Sequence, residues 1–301
     1  MIIGSHVSFG PEQLLGSTKE AISYNANAFM FYTGAPQNTV RKPINQELIS
    51  EAKKLMEENN IAIENVICHA PYIINLANRN DDSKWDFSIS FLKNEINRCE
   101  EMGVKYIVVH PGSAVGISRE EGLQNIVDAL NIIINEDDKC MILLETMAGK
   151  GNELGRSLEE IHYIVDNIKL KNKIGVCLDT CHLNDAGYDM SNFDLYLDAF
   201  DKLIGLDKVK CIHVNDSKND LESHKDRHAN IGYGTIGFEN MLNIIYNERI
   251  KDIPKMLETP YVGESLEDKK RNYPPYRFEI EMIKNKMFNE KLIEDINEYY
   301  N

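Results

Sequence analysis

Residues 141–182 read MILLETMAGKGNELGRSLEEIHYIVDNIKLKNKIGVCLDTCH. They open on an apolar, strand-length run, Met141–Thr146, and close on a second, Ile174–Asp179. Between the two, Ser157–Ile168 has helical periodicity and starts with Ser157 and Glu160 in the spacing of a capping box. A strand, a helix and a second strand within roughly 35–40 residues is the repeating unit of a β/α fold.

The same reading extends in both directions. Strand-length segments occur at Ile2–Phe9, Ala28–Thr33, Ile63–His69, Tyr106–His110, Met141–Thr146, Ile174–Asp179, Val209–Asn215 and Lys255–Thr259. Helical stretches separate them, among them Asn45–Asn59, Ser83–Met102 and Ser118–Ile134, the last with Ser118 and Glu121 in capping-box spacing. Eight such units predict an α/β chain folded as a (β/α)8 TIM barrel, with residues 1–301 as one catalytic domain. The competing arrangement, a doubly wound open sheet, would carry a Gly-rich phosphate turn after its first strand, and GxGxxG is absent.

Composition sets further bounds. Hydrophobic residues make up 43% and charged residues 27%, which excludes a disordered chain. No apolar run approaches a membrane span, and Met1–His6 has neither the basic region nor the cleavage site of a secretion signal. Cysteines at 68, 99, 140, 177, 181 and 211 form no CxxC pair, so free thiols and a cytoplasmic location are expected. Cys68, Cys177, Cys181 and Cys211 read as small core residues turned away from the barrel mouth. The net charge of −15 argues against binding a phosphate backbone. That objection weakens if carboxylates hold metal: three divalent cations would bring the formal charge to about −9 and concentrate positive charge in one place.

Metal-type side chains fall where such a barrel builds its active site. His69, His110, Glu145, Asp179, His213 and Glu258 end the third to eighth strand segments. His182 follows one turn later, and Asp226 and His228 lie in the long segment 216–237, which also holds Gly232, Gly234 and Gly237. One histidine at a strand end is ordinarily a structural residue. Six in register are not independent, and four carboxylates buried together without cations would repel one another at a cost of many kcal/mol. Imidazole mixed with carboxylate favours Zn²⁺, Mn²⁺ or Fe²⁺ over Mg²⁺ or Ca²⁺. Nine candidate ligands, one of them bridging, suit three ions.

These stretches resemble a known family. Gly175-Val176-Cys177-Leu178-Asp179-Thr180-Cys181-His182 resembles the central signature of the endonuclease IV family of apurinic/apyrimidinic endonucleases. His69-Ala70-Pro71-Tyr72-Ile73-Ile74-Asn75 is similar to its first signature, and Ile212-His213-Val214-Asn215-Asp216-Ser217-Lys218 with Asp226-Arg227-His228 to its third. His110-Pro111-Gly112-Ser113 and Leu257-Glu258-Thr259 fit as well, so the resemblance runs through the chain in order. It implies two zinc ions bridged by Glu145. One of them is also held by His69 and His110, the other by Asp179, His213 and Glu258, and a third ion by His182, Asp226 and His228. Glu145 and Glu258 become the candidate catalytic carboxylates. The implied reaction is hydrolysis of the phosphodiester 5′ to an abasic site in double-stranded DNA, leaving a 3′-hydroxyl and a 5′-deoxyribose phosphate. Removal of blocks from damaged 3′ ends is implied too. This is the activity of the deoxyribonuclease IV (phage-T4-induced) type in base excision repair.

Candidate DNA contacts follow from the same alignment of motifs. Tyr72 and Ile73 stand where the family inserts a loop at the lesion; Gln37 and Asn38 belong to the loop after the second strand segment. Some members have an arginine near Gln37; here either Arg41 substitutes for it or the loop acts through its backbone groups. Gly149 and Lys150, and Lys269 and Lys270, lie on the catalytic side as candidate phosphate contacts. His6 reads as a support for the ligands, and His224 and His162 as structural or exposed. A metal-dependent sugar isomerase or epimerase of the same barrel type is the alternative; it has no use for a third metal or for the Asp226-Arg227-His228 segment. A non-enzymatic DNA-binding module fits worst, because of the charge. A monomer without a membrane partner is expected.

Overall fold

A computed structural model describes residues 1–265, 268 and 270–301. The strands β1 (Ile3–His6), β2 (Ala28–Phe31), β3 (Val66–His69), β4 (Tyr106–Val109), β5 (Met141–Glu145), β6 (Ile174–Asp179) and β7 (Val209–His213) follow in chain order. A short antiparallel ribbon, β8 (Asp216–Ser217) and β9 (His228–Ala229), precedes the last barrel strand, β10 (Lys255–Leu257). Intervening helices are α1 (Gln13–Ser23), α2 (Gln46–Glu58), α3 (Asp82–Met102), α4 (Arg119–Ile133), α5 (Leu158–Asn167), α6 (Thr180–Ala186), α7 (Phe193–Leu203) and α8 (Phe238–Ile245). Two more, α9 (Tyr276–Asn285) and α10 (Leu292–Tyr300), end the chain described.

β1 pairs in parallel with β2 on one side and with β10 on the other, which closes the eight-stranded barrel and excludes the open sheet. At Gly4 this closure leaves no space for a side chain: a Cβ there would lie 1.7 Å from the Ala28 carbonyl oxygen. All eight strand segments expected from sequence are present, most of them shorter. His110 and Glu258 fall one residue beyond β4 and β10, and Ile63–Asn65 is a 3-10 turn that leads into β3. Helix starts follow their capping residues: Asn45, Asp81, Ser118 and Ser157 each accept a backbone N–H of the first turn. Only half of the box at Ser157 forms. Glu160 instead accepts the N–H groups of Gly155 (2.8 Å) and Arg156 (3.1 Å), tying the preceding loop to α5.

Strand alternation sorts the side chains into two cores. Outward residues, including Phe29, Phe31, Cys68, Ile107, Leu144, Val176 and Ile212, pack with the helices. Ala28, Met30, Ile67, Val108, Leu143, Cys177, Cys211 and Met256 form a separate buried cluster that plugs the barrel. Ile67, Val108, Leu143, Cys177, Cys211 and Met256 each stand two residues before a candidate ligand. The ligands therefore project inward as the next layer, directly above an apolar floor. Cys177 and Cys211 are core residues as expected, but they face into the barrel beneath the ligands.

Helix α9 braces the mouth. Its buried Glu279 accepts hydrogen bonds from Asn230 Nδ2 (3.1 Å), Ile231 N (3.0 Å) and the Thr259 hydroxyl, residues next to His228 and Glu258. Burial pushes the Glu279 carboxyl up to about 7 from an ordinary 4.5. Between those values the folded chain holds a proton that the unfolded chain has lost, so this group's contribution to stability declines as pH rises from 4.5 to about 7. Glu279→Gln cannot ionise. Its stability relative to the parent protein, from urea unfolding at several pH values, is expected to rise across that window by up to about 3 kcal/mol. A relative stability independent of pH would show that Glu279 titrates normally.

Candidate metal centre

Each candidate ligand is fixed by its element. His69, Glu145, Asp179 and His213 are the last residues of β3, β5, β6 and β7. Asp179 also caps α6, accepting the His182 N–H at 2.7 Å, which sets His182 one turn above the barrel. Asp226 and His228 come in on the loop closed by the β8–β9 ribbon. Glu145 sits at the centre. Its Oε2 lies 3.0 Å from His69 Nε2 and 3.2 Å from His110 Nε2, and its Oε1 lies 3.2 Å from His213 Nδ1. His213 Nδ1 is in turn 3.0 Å from Glu258 Oε2 and 3.7 Å from Asp179 Oδ2. Farther out, Asp226 Oδ1 is 3.0 Å from His182 Nε2 and 3.5 Å from His228 Nε2.

The nine residues thus fall into three donor groups: His69, His110 and Glu145; Glu145, Asp179, His213 and Glu258; and His182, Asp226 and His228. Within each group the donor atoms lie within 4.8 Å of one another. Two further sets also bring donor atoms within 4.8 Å: Cys177, Cys211 and His213, in the closed interior below, and Asp179, Cys181 and His228.

Imidazole orientation suits cations. The Nδ1–H groups of His69, His182 and His228 face the carbonyl oxygens of Ala70 (2.8 Å), Thr146 (2.8 Å) and Glu258 (3.2 Å). A carbonyl can only accept, so Nδ1 carries the proton and the Nε2 lone pair is left for a metal. His228 Nε2 is buried without a hydrogen-bond partner among the described residues, Asp226 and Asp179 lying 3.5 and 3.8 Å away, and a cation would satisfy it.

The electrostatics agree. Burial disfavours ionisation of Glu145 and Glu258, yet the imidazoles around them, His213 foremost, hold both carboxyls well below the usual range. Burial also works against the charged forms of His182 and His213, but Asp179, Asp226 and Glu145 raise His182 well above normal, and Cys177 followed by Glu258 and Glu145 does the same for His213. Asp179 is raised by its burial. Protons on the imidazoles balance the carboxylates where no cation does so, and a bound metal displaces them.

Sequence reasoning missed the residues that orient these ligands. Asn215 donates to Asp179 Oδ2 (2.7 Å) while its Oδ1 accepts the Glu258 N–H (2.8 Å). Thr146 Oγ1 accepts the Asp179 N–H at 2.9 Å. Both stand beside ligands in sequence, Asn215 inside a quoted signature, but nothing in their spacing marks what they hold. His6, as expected, sits beside the ligands: with Tyr32 it lines the same 290 Å³ cavity.

Around the mouth, Tyr72 is 56% exposed, Ile73 is half-buried against the core, and Gln37 and Asn38 are exposed. Lys150 and Lys270 are exposed, whereas Gly149 is buried, with φ +78° and Arg156 2.6 Å from where its Cβ would be. Lys269 lies outside the described residues. The role expected for Arg41 is overturned. Its side chain is 5% exposed, its Nε is paired with Glu95 at 2.7 Å, and its guanidinium lies over the Phe91 ring. It holds the Gln37 loop from beneath through the carbonyls of Asn38 (3.1 Å) and Val40 (3.0 Å). His224, half-buried, directs Nδ1 to the Ala148 carbonyl at 2.8 Å, the structural role expected for it.

Comparison with known proteins places this geometry. Residues 19–286 match the family described as xylose isomerase-like TIM barrel. Probable endonuclease 4 of Bacillus licheniformis is 51% identical over 296 residues, covering 98% of both chains. The crystal structure of endonuclease IV from Thermus thermophilus superposes with a TM-score of 0.79 at 28% identity, covering 95% of this chain and 98% of that one. A D-tagatose 3-epimerase-like protein, 21% identical, covers 100% of both chains with a TM-score of 0.68 and shares the fold. With half of its residues identical to a relative along nearly its whole length, this chain belongs to the endonuclease IV family of xylose isomerase-like TIM barrels.

Proposed function

We propose that the protein is a zinc-dependent endodeoxyribonuclease of base excision repair. It hydrolyses the phosphodiester 5′ to an abasic site in duplex DNA, yielding a 3′-hydroxyl and a 5′-deoxyribose phosphate, and it clears blocked 3′ ends. It acts in the cytoplasm as a monomer, with Mn²⁺ or Fe²⁺ able to replace part of its Zn²⁺. The observation that carries this reading is the third donor group, His182, Asp226 and His228, beside a pair of groups that share Glu145. A sugar epimerase on the same barrel needs one or two metal sites and an acid/base pair, and leaves that third group without a task.

Cations held by these residues would supply Lewis acidity, for activation of water near neutral pH and for stabilising charge on the phosphoryl and departing oxygens. The chain itself sets the geometry. Glu145 fixes the spacing of the two groups that share it. Asn215 orients Asp179 and Glu258 together, and Thr146 sets both Asp179 and the His182 tautomer. No side-chain nucleophile is needed. Tyr72 and Ile73 enter the duplex at the lesion, where no base has to unstack, and Gln37, Asn38, Lys150 and Lys270 line its backbone, with Lys269 assigned alongside them. Gly149 serves by letting Lys150 turn outward.

Incision of a duplex with one abasic analogue, with and without chelator, tests the activity. The division of labour between the groups is tested by two variants, one in the group of Glu145, Asp179, His213 and Glu258 and one in the third group. Glu258→Gln is expected to keep its metals and bind abasic DNA while the chemical step slows by orders of magnitude. His228→Ala is expected to lose one ion of three, and its rate defect should shrink on an activated phosphodiester, whose leaving group needs less stabilisation. Loss of all ions from His228→Ala, or an equal defect on both substrates, would contradict that division of labour. Tyr72→Ala is expected to weaken incision of abasic duplex by about 1–3 kcal/mol at unchanged metal content; unaltered incision would return Tyr72 to a packing role.

A further inference from the structure

The loop that carries Asp226 is held in an unfavourable conformation. Glu222 (φ 63°), His224 (φ 53°) and Asp226 (φ 54°) are all left-handed, and none is glycine. Such residues persist only where their surroundings over-determine them. Here the three N–H groups dock in turn on the end of α6: Glu222 N to the Asn184 carbonyl (3.1 Å), His224 N to the Asp185 carbonyl (3.0 Å) and Asp226 N to Asp185 Oδ2 (2.9 Å). Asp185 is fully buried, and neutral donors fill its remaining acceptor positions. The Ser217 hydroxyl (2.6 Å) and Asn184 Nδ2 (3.1 Å) bond Oδ1, and Asn219 Nδ2 (2.8 Å) shares Oδ2.

We infer that Asp185 is the positioning residue of the third metal site, its buried carboxylate locking the strained 222–226 loop to α6 so that Asp226 meets His182. Helix α6 brings His182 to the group and the loop brings Asp226 and His228. Asp185 is the α6 side chain that accepts a backbone N–H of the 222–226 segment, directly at Asp226. The ions that share Glu145 rest on strand ends, which do not depend on this loop. Loss of the Asp185 carboxylate should therefore act on one site of three. The inference rests on the three-site reading above.

The test is metal content with a graded chelator, together with hydrogen exchange of the 222–226 amides in the metal-free protein. Asp185→Ala is expected to weaken the third ion about 10–100-fold while the other two keep their affinity. The loop amides should exchange faster even without metal, and excess zinc should restore both the third ion and incision. Asp185→Asn retains one oxygen for the Asp226 N–H, as a weaker neutral acceptor, and should show a smaller loss of the same kind. If the Ala variant does not fold, the Asn variant decides. A third ion held at parental affinity, or all three weakened alike, would overturn the inference, as would a parent protein that binds fewer than three ions. A selective loss of the third ion in a protein that never incises abasic DNA would uphold Asp185 and defeat the proposed function instead.

Discussion

Four carboxylates, Glu145, Asp179, Asp226 and Glu258, converge with the imidazoles of His69, His110, His182, His213 and His228, and the balance between these charges governs the mouth of the barrel. Glu145, Asp179 and His213 are essentially inaccessible to water. Ionised carboxylates in such a place cost several kcal/mol each unless positive charge meets them. Protons on His182 and His213 provide it in the metal-free chain. Cations held on the lone pairs that the carbonyl-anchored histidines keep free would provide it instead. Under the proposed function the same arrangement would reconcile a chain of net charge −15 with a polyanionic substrate, because bound ions would put positive charge where the phosphate sits.

The barrel delivers these groups through a two-residue rule. Ile67, Val108, Leu143, Cys177, Cys211 and Met256 plug the interior, and two positions on, the same face presents His69, His110, Glu145, Asp179, His213 and Glu258. This is why the fold and six of the nine converging residues were legible in strand periodicity, while His182, Asp226 and His228 were read from the motifs that follow the sixth and seventh strands. Alternation fixes which way a strand residue points, and closure of the sheet gathers six strand ends into one ring. The strands are shorter than their sequence segments because the residues that leave a strand, such as His110 and Glu258, stay inward-facing after the ladder ends.

What was not legible depends on partners far apart in the chain. Arg41 looked like a free cation on a DNA-facing loop. Its partner Glu95 lies on α3, and no local pattern links the two. Gly149 resembled part of a phosphate loop, but its glycine is required by Arg156 packing over it. Glu160 completes a capping-box spacing and spends its carboxylate on the preceding turn. Asn215, Thr146 and Asp185 orient ligands through hydrogen bonds to groups tens of residues away. Ligand identity is written in strand periodicity; ligand orientation is written in contacts that only the folded chain brings about.

The central claim is that these nine side chains hold three cations, two of them sharing Glu145. Anomalous diffraction at the zinc edge, from crystals of zinc-loaded protein, tests it most directly. The account predicts three peaks at the barrel mouth: two flanking the Glu145 carboxylate and the third between His182, Asp226 and His228. One or two peaks, or a peak among Cys177, Cys211 and His213 in place of the third, would contradict it.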